Sequence, residues 1–120
     1  MKARSFRELI VWQKAFDLTE KIYRKTDELP SIERYSLTDQ MRRSAISICS
    51  NIAEGYERNN RKEYLHFLAL ARGSSAELEA QLLLAAKIYQ LDIQDEMSLL
   101  TEVQKLLWTF NQKLRTISKP

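Results

Sequence analysis

The sequence predicts an all-α fold, an antiparallel up-down-up-down four-helix bundle. Apolar residues recur at alternating spacings of three and four in four separate stretches, the seam pattern of helices packing into a left-handed bundle. The links between these stretches are short, which makes sequential neighbours antiparallel. The 120 residues fit a single domain over 1–120, and a domain of this size buries about two-thirds of its unfolded surface, enough for a core without metal or disulfide.

The first helix, about 6–28, carries Leu9, Trp12, Phe16, Thr19 and Tyr23 as its seam. Ser5 and Glu8 have capping-box spacing at its start, and Pro30 behind an extended Leu29 stops it. The second, about 37–58, shows Leu37, Met41, Ala45, Ile48 and Ile52, with Ser36 and Asp39 marking its start. The third, about 61–90, shows Tyr64, Leu68, Ala71, Ser75, Leu78, Leu82, Ala85 and Tyr89. Asn60 and Glu63 again have capping-box spacing, and the paired Asn59 and Asn60 mark a polar turn before it. The fourth, about 94–117, is entered through Asp92 and Asp95 and shows Leu100, Val103, Leu107, Phe110, Leu114 and Ile117.

Some helices carry more apolar surface than one seam needs. Helix one has a second stripe at Val11, Ala15, Leu18 and Ile22, helix three adds Phe67, Leu70, Leu83 and Leu84, and Leu106 and Trp108 flank the seam of helix four. This surplus implies a homo-oligomer whose interfaces absorb it; a wide seam or scattered surface apolars is the alternative.

The only two glycines, Gly55 and Gly73, fall inside helical segments rich in small and polar residues. A helix-interior glycine costs roughly 1 kcal/mol against alanine, so each suggests close backbone approach between helices or between subunits. Beside the seam of helix two runs a polar ridge, Gln40, Ser44, Ser47, Asn51, Glu54 and Arg58. Asn51, Glu54 and Gly55, facing Arg72, Gly73, Ser74 and Glu77 on helix three, form the expected polar network of the interface. There Asn51 and Glu54 are partly buried and need partners, because an unsatisfied buried polar group costs about 1–3 kcal/mol. The specific expectation is a charge-assisted Glu54–Arg72 pair.

The formal charge is only +3, but it is unevenly spread. Residues 73–104 carry six acids against Lys87 alone, whereas 105–120 carry Lys105, Lys113, Arg115 and Lys119 with no acid. Such asymmetry permits contact with an anionic partner. No signal-peptide pattern opens the chain and no apolar run reaches membrane-spanning length, so the expectation is a soluble, cytoplasmic protein with no membrane partner. Cys49 reads as a small core residue.

No active site emerges. With one His and one Cys on different helices, no metal site is expected, and there is neither a glycine-rich phosphate loop nor a nucleophile motif. The reading is therefore no catalytic residue, no cofactor and no small-molecule substrate. Arg61 and His66 have a spacing similar to the short motif of the HEPN helical-bundle ribonucleases, in which histidine serves acid–base chemistry on RNA; this leaves a remote ribonuclease alternative.

Three segments together carry a resemblance over nearly the whole chain: Leu9-Ile10-Val11-Trp12-Gln13-Lys14-Ala15, Gln40 to Ile48 continuing into Ser50-Asn51-Ile52-Ala53-Glu54-Gly55, and Ala71 to Glu79. The chain resembles the four-helix bundle proteins encoded within intervening sequences of bacterial large-subunit (23S) ribosomal RNA genes. The resemblance implies a bundle assembling as a ring, commonly a homopentamer, without known catalytic activity. The fold is shared with accessory proteins of diversity-generating retroelements, whose basic surface engages RNA, so association with structured RNA or a ribonucleoprotein is the implied role. Arg42 and Arg43 match the family's basic pair, and with Arg58, Arg61 and Lys62 they are the expected phosphate contacts. Where the family often has proline, this chain has Cys49, which implies a straighter second helix. A protein-interaction scaffold without nucleic acid is the alternative.

Overall fold

A computed structural model describes residues 4–117, within which four α-helices pack as a bundle: α1 (Ile10–Thr26), α2 (Leu37–Tyr56), α3 (Arg61–Tyr89) and α4 (Gln94–Ile117). Each helix touches its two neighbours around the bundle, α1 meeting α2 and α4, and α3 meeting α2 and α4. The seams expected on α2, α3 and α4 form the core, with Met41, Ile48, Ile52, Leu68, Leu78, Leu82, Leu100 and Leu107 excluded from solvent. The side chain of Ile117 lies outside the described residues, as do Lys119 and the first three residues.

On α1 the two apolar stripes exchange roles. Val11, Ala15, Leu18 and Ile22 are the core stripe, whereas Phe16 is 58% and Tyr23 40% exposed, with Leu9 and Trp12 only partly buried. Both stripes have helical period, so periodicity does not choose between them. The narrow aliphatic side chains let α1 approach its neighbours, and the wide aromatics are left at the margin, where Trp12 stacks on Phe16 at 4.8 Å and meets the edge of Phe6 at 5.1 Å.

The start of α1 also differs from expectation. Ser5 accepts from the Arg7 amide and caps only a 3-10 turn over Phe6–Glu8. Leu9 is then extended, with φ −72° and ψ 126°, and the α-helix begins at Ile10. The Glu8 carboxylate accepts from the Arg4 amide, and the Gln13 side chain donates to the Arg7 carbonyl, so the break is closed by hydrogen bonds. It folds Phe6 back onto Trp12.

At the other end α1 stops at Thr26, and tight bonds from the Asp27, Glu28 and Leu29 amides carry the chain to Pro30. The start of α2 is held not by Ser36 but by Glu33, in a second 3-10 turn over Ser31–Glu33: its carboxylate accepts from the Leu37 amide at 3.2 Å. Tyr89 donates its hydroxyl to the same carboxylate, which holds Glu33 below its ordinary pKa and ties this turn to the end of α3. Asn60 caps α3 as expected, accepting from the Glu63 amide and donating to the Glu63 carboxylate. Gln90 then takes a left-handed conformation, φ 53°, and ends the helix.

The close approach expected at Gly55 is present. A Cβ there would lie 3.0 Å from both Phe67 Cβ and Tyr64 Cδ1, so α3 crosses α2 over the space left by the missing side chain. Gly55→Ala should therefore lower stability: the overpacking cost of about 1–3 kcal/mol outweighs the roughly 1 kcal/mol gain in helix propensity. Urea denaturation at fixed protein concentration measures the difference, and an unchanged or higher midpoint would show that α3 can withdraw freely.

Candidate functional site

The polar ridge of α2 does meet α3, through smaller groups than expected. Ser74 is buried, and its hydroxyl hydrogen-bonds that of Ser47 at 2.7 Å. Asn51, half buried, donates to the Ser47 carbonyl at 2.8 Å and to its hydroxyl at 3.0 Å. The Ser47–Ser74 bond crosses the seam, and Asn51 supports it from within α2.

The expected Glu54–Arg72 pair does not form. Glu54 is exposed and pairs with Arg58 one turn further along α2. Arg72 projects from the far side of α3, where with Gly73, Gln104 and Trp108 it lines a shallow groove against α4. The reason is helical phase: at 100° per residue, the turn that points Ser74 and Ser75 inward carries Arg72 away from α2 and leaves Gly73 on the outer side of α3, at the margin of depressions toward both α2 and α4. Glu77 is likewise exposed, at the margin of a depression shared with Ser47 and Asn51. Gly73 has open space around it, with nothing within 4 Å of a Cβ built there, so unlike Gly55 it serves no close approach inside the protomer.

The five candidate phosphate contacts divide between opposite ends of the bundle. Arg42 and Arg43 lie in the first turns of α2, and about 21 Å of helix separates Arg42 from the end of α2 at Tyr56, two residues before Arg58. Arg42 is engaged internally: its guanidinium donates to Thr26 Oγ1 at 2.9 Å, the Tyr23 carbonyl at 3.1 Å and Asp27 Oδ1 at 3.0 Å, and lies 4.5 Å from the centre of the Tyr23 ring. It closes the C-terminal end of α1, where a cation also complements the helix dipole. Arg43 is exposed and pairs with Asp39.

Arg58, Arg61 and Lys62 sit at the other end. Antiparallel topology brings to that end the last turn of α2, the first turn of α3, the last turns of α4 and the chain before α1. Over residues 4–9, 54–66 and 109–117 this end holds seven bases, Arg4, Arg7, Arg58, Arg61, Lys62, Lys113 and Arg115, against four acids, Glu8, Glu54, Glu57 and Glu63. Arg58 pairs with Glu54 and approaches Glu63, and it covers the Phe67 ring at 4.7 Å. Arg61 and Lys62 are exposed on the first turn of α3, where the helix N-terminus is itself positive, so anion attraction adds to their charge. The signal available in the sequence was the acid-free stretch after residue 104, which the topology folds onto Arg58, Arg61 and Lys62.

Arg61 and His66 do not form a joint site within α3. Five residues of helix turn them about 140° apart, and both are exposed. Among the described residues, no three His, Cys, Asp or Glu side chains are placed to hold a metal ion, and no helix is long and apolar enough to cross a membrane.

Cys49 is not a core residue: it is half buried and lines a groove between α1 and α2 with Trp12, Phe16, Tyr23 and Ile46. Burial pushes its thiol up to about 11, against the opposing contact of the Thr19 hydroxyl. Behind Gly55 the phenol oxygen of Tyr64 is buried without a hydrogen-bond partner, and burial raises its pKa as well.

The profile of the 23S rRNA-intervening sequence protein family matches residues 7–112. A solved structure of a protein of unknown function from the S23 ribosomal protein family of Bacteroides thetaiotaomicron has the same fold, with a TM-score of 0.73 at 23% identity, over 85% of this chain and 98% of that one. No curated protein matches significantly.

Three outcomes follow from this geometry. Arg42→Gln should destabilise the fold by about 1–2 kcal/mol, since the Thr26 and Tyr23 acceptors lose a charged donor, and chemical denaturation at fixed concentration reads this. Cys49 should react with a thiol reagent at pH 8 more than tenfold more slowly in the folded than in the unfolded chain, because its thiolate forms near pH 11 rather than 9.0. The same shift makes stability fall above about pH 9, where the unfolded thiol ionises first. Equal rates in the two states would refute the burial of this group.

Proposed function

Because the chain belongs to the 23S rRNA-intervening sequence protein family, we propose that it is a non-enzymatic bundle protein of the cytoplasm that associates with structured RNA and assembles with copies of itself. The observation that carries the RNA reading is the basic end. Seven bases from four chain segments converge there, whereas the opposite end, residues 20–43 and 86–99, carries eight acids against seven bases. Arg61, Lys62 and Lys113 have no carboxylate partner among the described residues, so their charge is available to an outside anion.

Recognition of this kind reads phosphate and shape. The exposed bases reach a backbone from a rigid helical rim, while near that end the Tyr64 ring is packed between Tyr56 at 6.3 Å and Phe110 at 5.3 Å. The assignment moves the expected contact from Arg42, whose guanidinium closes α1, to Arg58, Arg61 and Lys62 at the other end.

Self-assembly is supported by exposed apolar side chains spread over several helices, Phe16, Ile46, Leu70, Leu83, Leu84, Ile88 and Trp108 among them.

Fluorescence anisotropy against a structured ribosomal RNA hairpin, titrated with salt, tests the RNA reading, with molar mass recorded in parallel. Replacing Arg58, Arg61 and Lys62 together by Gln should weaken binding and flatten the salt slope by about 2–3 units, whereas Arg43→Gln leaves the slope in place. A slope unmoved by the triple replacement would reject this end as the interface. Absence of binding at physiological salt would leave a protein scaffold as the function.

A further inference from the structure

The turn between α1 and α2, at the end of the bundle away from Arg58, Arg61 and Lys62, holds a cavity of about 210 Å³ whose polar lining includes Ser31, Arg34, Thr38 and Arg42. That is several times the roughly 30 Å³ share of one water molecule in the liquid, so a tetrahedral oxyanion has room. Thr38 is only 8% exposed, yet its hydroxyl neither donates nor accepts a hydrogen bond among the described residues. A polar group buried to this degree ordinarily has a partner.

The other donors around the cavity are also unused. Arg34 is exposed and has no carboxylate partner among the described residues, and the Ser31 hydroxyl has no partner either. Arg42 donates from Nε to Thr26 and from Nη2 to the Tyr23 carbonyl and Asp27, which fixes the plane of its guanidinium; Nη1 has no acceptor among the described residues. At the start of α2 the Leu37 amide is taken by Glu33 and the Gln40 amide by the Ser36 carbonyl, whereas the Thr38 and Asp39 amides between them have no acceptor among the described residues. The opposing charge in the lining is Asp27, whose side chain is 79% exposed and paired with Arg42. Glu33, on the same turn, is engaged by the Leu37 amide and the Tyr89 hydroxyl. Two arginines against one aspartate leave the lining positive, with donors only partly used.

We propose that this cavity binds a phosphate monoester. Arg34 and the free edge of Arg42 meet its oxygens, and the buried Thr38 hydroxyl is the innermost donor. A terminal phosphate has one substituent, which leaves through the mouth of the cavity, whereas a phosphodiester within a strand has chain leaving on two sides. With a second pKa near 6 the monoester is largely a dianion at neutral pH, which matches a pair of guanidinium groups. Such a group is carried by a free nucleotide and by the 5′-phosphorylated end of an RNA strand. The site stands apart from the basic end, and its test separates the two.

Inorganic phosphate, followed by its phosphorus NMR signal at low salt and pH 7.5, is the first probe. Binding should saturate, weaken about tenfold in Arg34→Gln and about fivefold in Thr38→Val, and stay unchanged when Arg58, Arg61 and Lys62 are together replaced by Gln. Neither Arg34 nor Thr38 has a side-chain partner to lose, so both variants keep the fold, which circular dichroism verifies. In the triple-Gln background, fluorescence anisotropy then compares a short single-stranded RNA bearing a 5′-phosphate with the same strand bearing a 5′-hydroxyl, and a nucleoside 5′-monophosphate is titrated as competitor of inorganic phosphate. Preference for the phosphorylated strand assigns the cavity to RNA ends; equal binding of the two strands with displacement by the monophosphate assigns it to a free nucleotide. Either result supports the site. Absence of saturable phosphate binding, or binding unmoved by Arg34→Gln or by Thr38→Val, would overturn it. Binding of inorganic phosphate with neither displacement nor strand preference would overturn the monoester assignment.

Discussion

The approach of α3 to α2 at Gly55 is the constraint on which the rest of the molecule depends. With Phe67 and Tyr64 occupying the space a side chain would fill, the two helices are held at one depth and one rotation. The Ser47–Ser74 hydrogen bond, four turns of combined helix away, requires the same rotation. Two contacts of this kind on one helix pair determine which residues of α3 face the core and which face out. Tyr64 extends the constraint by meeting the edge of Phe110 at 5.3 Å, so the helix that rests on Gly55 also positions the end of α4. The basic end and the outward position of Arg72 and Gly73 both follow from that phase.

Most of this architecture is written in period. On α2, α3 and α4 the stripe at alternating spacings of three and four is the one that becomes buried, and the further apolar side chains of α3 and α4, Leu70, Leu83, Leu84 and Trp108 among them, stay exposed. Local chemistry was equally legible where it was self-contained: Asn60 and Glu63 satisfy each other within one turn, so their spacing suffices to place the start of α3. Period alone does not decide α1, which has two apolar stripes. The choice belongs to packing against α2 and α4, where a column of Val11, Ala15, Leu18 and Ile22 admits closer neighbours than one of Trp12, Phe16 and Tyr23.

The site was less legible because it depends on relations between helices. Glu54 lies in the last turn of α2 and Arg72 near the middle of α3, so the two differ in height, and a pair across a seam also needs both side chains within a narrow arc, out of which Arg72 is rotated. Glu54 instead meets the nearest cation on its own helix, Arg58, an arrangement that sequence spacing of four already offers. The basic residues illustrate the same point at longer range. Arg42, Arg43, Arg58, Arg61 and Lys62 are grouped within 21 positions of sequence, but α2 spans the bundle between the second and the third. Lys113 and Arg115, fifty residues beyond Lys62, are closer to it in the fold because α4 returns to the same end.

Charge and apolar surface are thereby separated in direction. The net positive charge lies at one end of a bundle that is 52 Å long and 20–21 Å across, whereas the uncovered aromatic and aliphatic side chains lie along its sides. On the proposed self-assembly, association through the sides would join copies with their long axes roughly alongside, and a cyclic arrangement would preserve each copy's direction along the ring axis. Every basic end would then fall on the same rim. The end of one chain carries an excess of only three positive charges over residues 4–9, 54–66 and 109–117, too few to hold RNA strongly against physiological salt. A rim multiplies that excess by the number of copies and spaces it at intervals of about one bundle width, so an extended phosphate backbone meets several ends at once. Avidity of this kind would let a weakly charged protomer become an RNA-binding assembly, and affinity for RNA would then depend on apolar contacts that touch no RNA at all.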